Sequence, residues 1–259
     1  MRQFLTFAMV GPMASFGTLA VGERRGGGDR PARSAIVGLM GACLGITRDD
    51  ADAQDALATG YGIAVLCHAP GRLMTDYHTT QSAPSRRNWR PETRARELAG
   101  EGDLATILSR RDYRMGSWHL GAVWARHATP RWGLDALRQA MEAPVFTPSL
   151  GRKSCPPGLP LAPQVVEGDS AMAVLLARQE TGPESRVRMR HGLLRDQFAG
   201  HGGRAETLVV LDAADVAEHG AGHRVLRREM QRDQPLSRTC WQFGLREEAL
   251  LAGTEGTRG

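Results

Sequence analysis

Pro31-Ala32-Arg33-Ser34-Ala35-Ile36-Val37-Gly38-Leu39-Met40-Gly41-Ala42-Cys43-Leu44-Gly45-Ile46 reads as a helix over roughly residues 32–45, and its setting decides the fold. Pro31 suits a helix start, because its φ is preset and its missing N–H would be unpaired in the first turn anyway. Ile36, Val37, Leu39, Met40, Cys43 and Leu44 make a broad apolar face. Gly38 and Gly41 cost helix propensity, about 1 kcal/mol each, but small residues let a helix approach a sheet closely. Gly45 can close the helix, and Thr47-Arg48-Asp49-Asp50 reads as the cap of a short second helix near 50–58.

Strand signals stand on either side. Residues 3–10 read as a strand ending at the Gly11-Pro12 turn; as a secretory signal the apolar run is short and has only Arg2 beside it. Tyr61–Cys67 and Leu120–Trp124 are the next strands, and 132–142 is an amphipathic helix with Leu134, Leu137 and Met141 on one face, ended by Pro144. The order β-α-β-excursion-β-α gives an α+β class and resembles a ferredoxin-like core of the kind found in RNA-recognition modules. Farther on, a helix is expected near 169–178 and a strand at Thr207–Leu211, whereas 183–206 and 217–235 read as loops or hairpins. The expected organisation is a core over 1–150, a small β-containing C-terminal part over 151–252 and a disordered tail over 253–259.

The 259 residues carry a net charge of +5 with a pI near 9.5, and Lys153 is the single lysine. Arginine forks onto phosphates and stacks on bases as lysine cannot, so a polyanionic partner is favoured, although a high-GC genome gives the same bias. Cys43, Cys67, Cys155 and Cys240 are far apart, without zinc or disulfide spacing. No metal or cofactor is expected, and a cytoplasmic location away from membranes fits the absence of any apolar run of spanning length.

Three segments carry binding chemistry. Arg24 and Arg25 precede Gly26-Gly27-Gly28 in what reads as a mobile cationic loop. From about 70 to 116 the chain leaves the core, with Arg86, Arg87, Arg90, Arg94, Arg96, Arg110, Arg111 and Arg114 interleaved with Tyr77, Trp89 and Tyr113. Cations between stacking rings suit single-stranded nucleic acid; a solvated insertion is the alternative. Gly151-Arg152-Lys153-Ser154 joins exposed amides, two cations and a hydroxyl, which suits a phosphate without the spacing of a Walker loop; a plain surface turn is the alternative.

Several stretches together resemble the CasD family of type I-E CRISPR Cascade, within the RAMP superfamily of CRISPR RNA-binding proteins. They are Gly11-Pro12-Met13-Ala14-Ser15-Phe16-Gly17, the helix Pro31–Ile46 with Arg48-Asp49-Asp50, Asp76-Tyr77-His78-Thr79, Arg110-Arg111-Asp112-Tyr113, Phe146–Pro156, and a fainter Arg232-Asp233-Gln234-Pro235 with Gln242-Phe243 and Arg246-Glu247. The resemblance implies a ferredoxin-like core and a projecting β-rich thumb. It also implies a non-catalytic role in antiviral defence, capping the complex and holding the 5′ handle of CRISPR RNA. The partners implied are CRISPR RNA, the backbone, large and other Cascade subunits, and target DNA in the assembled complex. The RNA contacts it points to are Tyr77, His78, Arg110, Arg111, Tyr113 and Gly151–Ser154, with Arg33 and Ser34 presenting the helix N-terminus to phosphate; Arg24 and Arg25, in a loop that departs from the family's pattern, join them on residue type, with DNA or a neighbouring subunit as the alternative partner of that loop.

The rival class is a metal-independent endoribonuclease. General acid–base attack through a 2′-hydroxyl needs titratable groups gathered at the scissile bond, and Tyr77, His78, His119, His127 and Lys153 are the candidates. Only Tyr77 beside His78 forms a suggestive arrangement, and such a pair on a projection more often stacks or hydrogen-bonds; no catalytic residue is expected.

Overall fold

The computed structural model describes residues 1–18, 20, 22–83, 90–99, 104–190, 207–237, 240 and 242–255. The chain runs β1 (Arg2–Ala14), β2 (Arg24–Arg25), α1 (Arg33–Leu44), α2 (Ala51–Gly60), β3 (Tyr61–Ala69), β4 (Arg72–Ser82), α3 (Arg94–Leu98), β5 (Ala105–Ala125) and α4 (Leu134–Glu142). It continues through β6 (Gln164–Gly168), α5 (Ala171–Thr181), α6 (Pro183–Arg190), β7 (Leu208–Asp212), α7 (Val216–His219), β8 (His223–Ser237) and β9 (Gln242–Glu255). All the strands join one sheet in the order β6-β1-β5-β3-β7-β9-β8, with β2 and β4 added to β5. Every pairing is antiparallel except that of β2 with β5.

Alternation along the strands gives the sheet two apolar faces. Leu5, Phe7, Met9, Ile63, Val65 and Val123 pack against Ile36, Met40, Leu137 and Met141 of α1 and α4. Phe4, Ala8, Leu66, Leu120 and Trp124 pack against Met172 and Leu175 of α5 on the other face. Residues past 151 complete this same sheet, since β6 pairs with β1 and β7 with β3. Gly45 caps α1 with φ +74°, and Asp50 caps α2 by accepting from the Ala53 N–H.

Four expectations are corrected, one of them by α6, since residues 183–190 form a helix and not a loop or hairpin. The first strand does not stop at Gly11-Pro12: Gly11 pairs with Ser117 and Met13 with Met115, and only Pro12 is skipped. Proline has no N–H to give the ladder, and the facing stretch of β5 bends at Gly116, where φ is +71°. Leu120–Trp124 is only the end of β5, whose first half pairs with β4 in a projecting hairpin, Ser82 opposite Ala105 through Arg72 opposite Met115. Gly71 (φ +75°) lies at the same root, where a Cβ would meet the Met115 carbonyl at 2.8 Å. The tail does not begin at 253, because β9 continues to Glu255 and the Gly253 N–H donates to the Thr207 carbonyl at 2.5 Å. Among the described residues no helix is long and apolar enough to cross a membrane.

His119 lies fully buried in β5, edge-on to Phe16 with 5.5 Å between ring centroids, and neither ring nitrogen has a hydrogen-bond partner among the described residues. Burial pushes its pKa down to about 3, whereas an unfolded histidine titrates near pH 6.5. Between those values the unfolded chain binds the extra proton, so stability falls as pH drops through the window and is unaffected above it. Chemical denaturation at pH 7 and pH 4.5 is expected to show a smaller loss for His119→Leu than for the unsubstituted protein.

Candidate nucleic-acid interface

Register brings the dispersed arginines together. β2 lies parallel to β5 with Arg24 opposite Arg110 and Arg25 opposite Arg111. On the other side of β5, Tyr77 is opposite Arg110 and Asp76 opposite Arg111. Paired residues share a face and successive residues alternate, so Arg24, Arg110 and Tyr77 form one row, and Arg25 and Arg111 the next on the opposite face. Like charges directly opposite repel. Among the described residues the closest carboxylate to these four guanidiniums is that of Asp112, 3.8 Å from Nη2 of Arg24, whose side chain is 73 % exposed. Tyr77 is exposed, while Nε2 of His78 lies 2.5 Å from Oδ2 of Asp76.

The glycine loop is not the mobile segment its composition implied. The Gly28 N–H donates to the Phe16 carbonyl (2.7 Å), Thr18 N–H to Gly26 (3.2 Å) and Arg110 N–H to Glu23 (3.0 Å). Nε of Arg114 donates to the Gly28 carbonyl at 3.2 Å. The glycines serve close approach: a Cβ on Gly27 would sit 3.4 Å from that of Asp112. The loop is a strap lashed across the root of the hairpin.

The third segment reaches the second face. Gly151 adopts φ +91°, and a Cβ there would sit 1.9 Å from the Ser15 carbonyl, so only glycine fits. The Ser15 N–H donates to Leu150 and the Leu150 N–H to Cys155, closing the loop against the end of β1. The Arg152 guanidinium then lies over the Tyr113 ring, 4.8 Å from its centroid, and Nη2 donates to the Arg25 carbonyl at 3.4 Å. Its Nη1 is buried and has no partner among the described residues. Lys153 and Ser154 are exposed beside it. Tyr113 itself is only 6 % exposed and packs in the core, so it supports Arg152 and offers no face to a base.

Arg33 is the clearest departure from expectation. It is buried, and its Nη2 donates to the carbonyls of Ala58 (2.9 Å) and Tyr61 (2.7 Å), with Nη1 3.3 Å from Asp212. Burial pulls its pKa down, opposed by Asp212. The Arg33 N–H at the head of α1 donates to Asp233 (2.7 Å), so a carboxylate already occupies the helix end expected to meet phosphate. Ser34 lines a cleft of about 700 Å³ together with Phe16, Arg30, Glu229 and Asp233.

These contacts belong to an ion network that inspection of the sequence missed. Glu229, Glu248 and Asp212 are register partners across β8, β9 and β7. Arg30 bonds Glu229 (2.6 Å) and Glu248 (2.5 Å); Arg246 bonds Asp212, Asp233 and Glu248, each at 2.8 Å; Arg126 bonds Asp212 (2.8 Å) and Asp215 (2.6 Å). The only signal in the sequence was the faint stretch holding Asp233 and Arg246. Elsewhere Arg94 pairs with Glu97 and Arg96 with Glu92 in exposed ion pairs, and burial removes His119 from any acid–base role. Arg86, Arg87 and Trp89 lie outside the described residues.

A family model for CRISPR-associated protein (Cas_Cas5) matches residues 4–247. The CRISPR system Cascade subunit CasD of Escherichia coli (strain K12) is 33% identical over 191 residues, which is 70% of this chain and 80% of that protein. A solved CRISPR RNA-guided surveillance complex contains a chain that superposes with a TM-score of 0.57 at 20% identity, over 98% of this chain and 92% of that one. A crystal structure of a Cas protein gives a TM-score of 0.57 at 22% identity over 98% of each chain. At these identities the two structures speak for the fold alone.

Buried and exposed arginines are expected to respond differently to substitution. Arg33→Ala strands buried carboxylates and carbonyls and should cost about 3–5 kcal/mol, whereas Arg110→Ala should stay within about 0.5 kcal/mol of the unsubstituted protein. Urea unfolding of the two variants measures both.

Proposed function

The chain belongs to the Cas5 family of CRISPR-associated proteins, and on that premise we propose that it is a non-catalytic subunit of a type I-E Cascade that holds the 5′ handle of CRISPR RNA. The observation that carries this reading is the pairing of Arg24 with Arg110 and of Arg25 with Arg111, two like-charge pairs in adjacent register positions, one on each face of the strands. Such an arrangement raises the energy of the free protein and is relieved by a polyanion. Arg152, levelled on Tyr113, adds positive charge, and the exposed Lys153 and Ser154 beside it add a point charge and a hydroxyl. Exposed Tyr77 offers a ring on which a base can stack beside Arg110.

The geometry also supports the finer structural reading. Strands β6-β1-β5-β3 are antiparallel neighbours, and the connections through α1 and α4 lie on one face, as in a ferredoxin-like core of the RAMP type. The β4–β5 hairpin is then the thumb, free to meet RNA and a neighbouring subunit. Target DNA would approach only in the assembled complex.

Purified protein is expected to bind CRISPR RNA with an intact 5′ handle more tightly than a handle-deleted control and to leave both uncut on a gel. Arg110→Ala/Arg111→Ala should weaken binding and flatten the logarithmic salt dependence by about 0.7 for each phosphate no longer neutralised. Equal affinity for the two RNAs, or cleavage of the precursor, would overturn the reading.

A further inference from the structure

We propose that Asp112 is a positioning residue that sets the guanidinium row for handle recognition, an inference that rests on the RNA-binding reading above. A carboxylate is out of place in a surface built for phosphate, since its charge opposes the ligand. Yet Asp112 stands in the middle of that surface, two residues from Arg110 on the same face of β5 and only 3 % exposed.

Three stretches of chain converge on it. From β4, Thr75 Oγ donates to Oδ1 at 2.8 Å. From the segment after β1, Ser15 Oγ donates to the Asp112 carbonyl at 2.9 Å. From the strap, Nη2 of Arg24 lies 3.8 Å from Oδ2, and a Cβ on Gly26 would come within 3.9 Å of the same oxygen. Ser15 is also the residue whose carbonyl Gly151 abuts and whose N–H binds Leu150, so the loop bearing Arg152 is registered against the same point.

Arg24 and Arg110 repel as register partners, and a long exposed guanidinium keeps many rotamers. Asp112 draws Arg24 back toward the root of the hairpin and cuts that freedom. The fork is then presented at one spacing from Arg110 on the same face, and it fits one geometry of the phosphate backbone where a loose cation would attract any RNA.

The two roles of the carboxylate predict opposite results. If Asp112 acts only as a charge, Asp112→Asn removes a repulsion and tightens every RNA alike. If it positions, Asp112→Asn leaves binding to handle-deleted RNA unchanged or tighter, and the ratio of the two affinities falls about two- to fivefold, the scale of one exposed ion pair. The measurement is Kd for CRISPR RNA with and without its handle, at several salt concentrations, with thermal melting as a check on folding. Arg24→Ala should lose the same discrimination, and the double variant should lose no more than either single one. Should Asp112→Asn fail to fold, Thr75→Val removes the donor on Oδ1 while leaving the charge, and a fall in the same ratio is expected. A discrimination ratio unchanged in Asp112→Asn, or losses that add in the double variant, would sink the positioning role alone. An unsubstituted protein that does not discriminate would remove the RNA reading itself.

Discussion

Three carboxylates stand side by side across three strands, Glu229 on β8, Glu248 on β9 and Asp212 on β7, and no sheet closes over such a row without cations. Arg246 supplies one from within β9, but Arg30 comes from the strap and Arg126 from just beyond β5. The need to neutralise this row ties the strap and the head of α1 to the C-terminal hairpin, which the β3–β7 ladder already joins to the sheet. With Arg30 seated there, and Arg33 beside Asp212, the strap and the head of α1 have one place to lie. Arg24 and Arg25, a few residues upstream, are thereby brought alongside β5.

The arginines thus divide into two populations with opposite physics. Arg30, Arg33 and Arg246 lie inside, desolvated, and held by carboxylates and carbonyls at hydrogen-bond distance; removing a partner from such a set leaves a bare charge in low dielectric. Arg25, Arg110 and Arg111 lie outside with no carboxylate at ion-pair distance among the described residues. Interior arginines hold the scaffold rigid, and the outer ones can tolerate mutual repulsion because the scaffold does not yield. Arg152 lies between the groups, propped on a buried tyrosine with one nitrogen unpartnered.

Much of the fold was legible because α1, β3, α4 and the Gly45 cap are local matters of periodicity and turn chemistry. The candidate site was legible as segments: Arg110-Arg111 and Gly151–Ser154 were picked out by residue type, and the structure brings them to one region with Arg24-Arg25. What the residues could not reveal was which guanidiniums face inward. Arg33 and Arg110 are chemically identical, and their difference rests on Asp212, Ala58 and Tyr61 in one case and open solvent in the other. Similarly, the first half of β5 was hidden, and β8 was legible only as a loop or a hairpin, because exposed strands rich in arginine lack apolar alternation and are held by register with a partner more than by burial. Tyr113 misled for a related reason: an aromatic among arginines reads as a stacking ring until its burial is known.

The bend at Gly116 makes the hairpin a fixed-angle lever. β5 is one covalent rod of 21 residues whose far end carries Arg110 and whose near end is bonded along both edges, to β1 and to β3. Because Gly71 and Gly116 turn the backbone without severing the chain, the arm changes direction while remaining anchored. A load taken up at Arg110 is therefore passed along one continuous strand to hydrogen bonds with both β1 and β3.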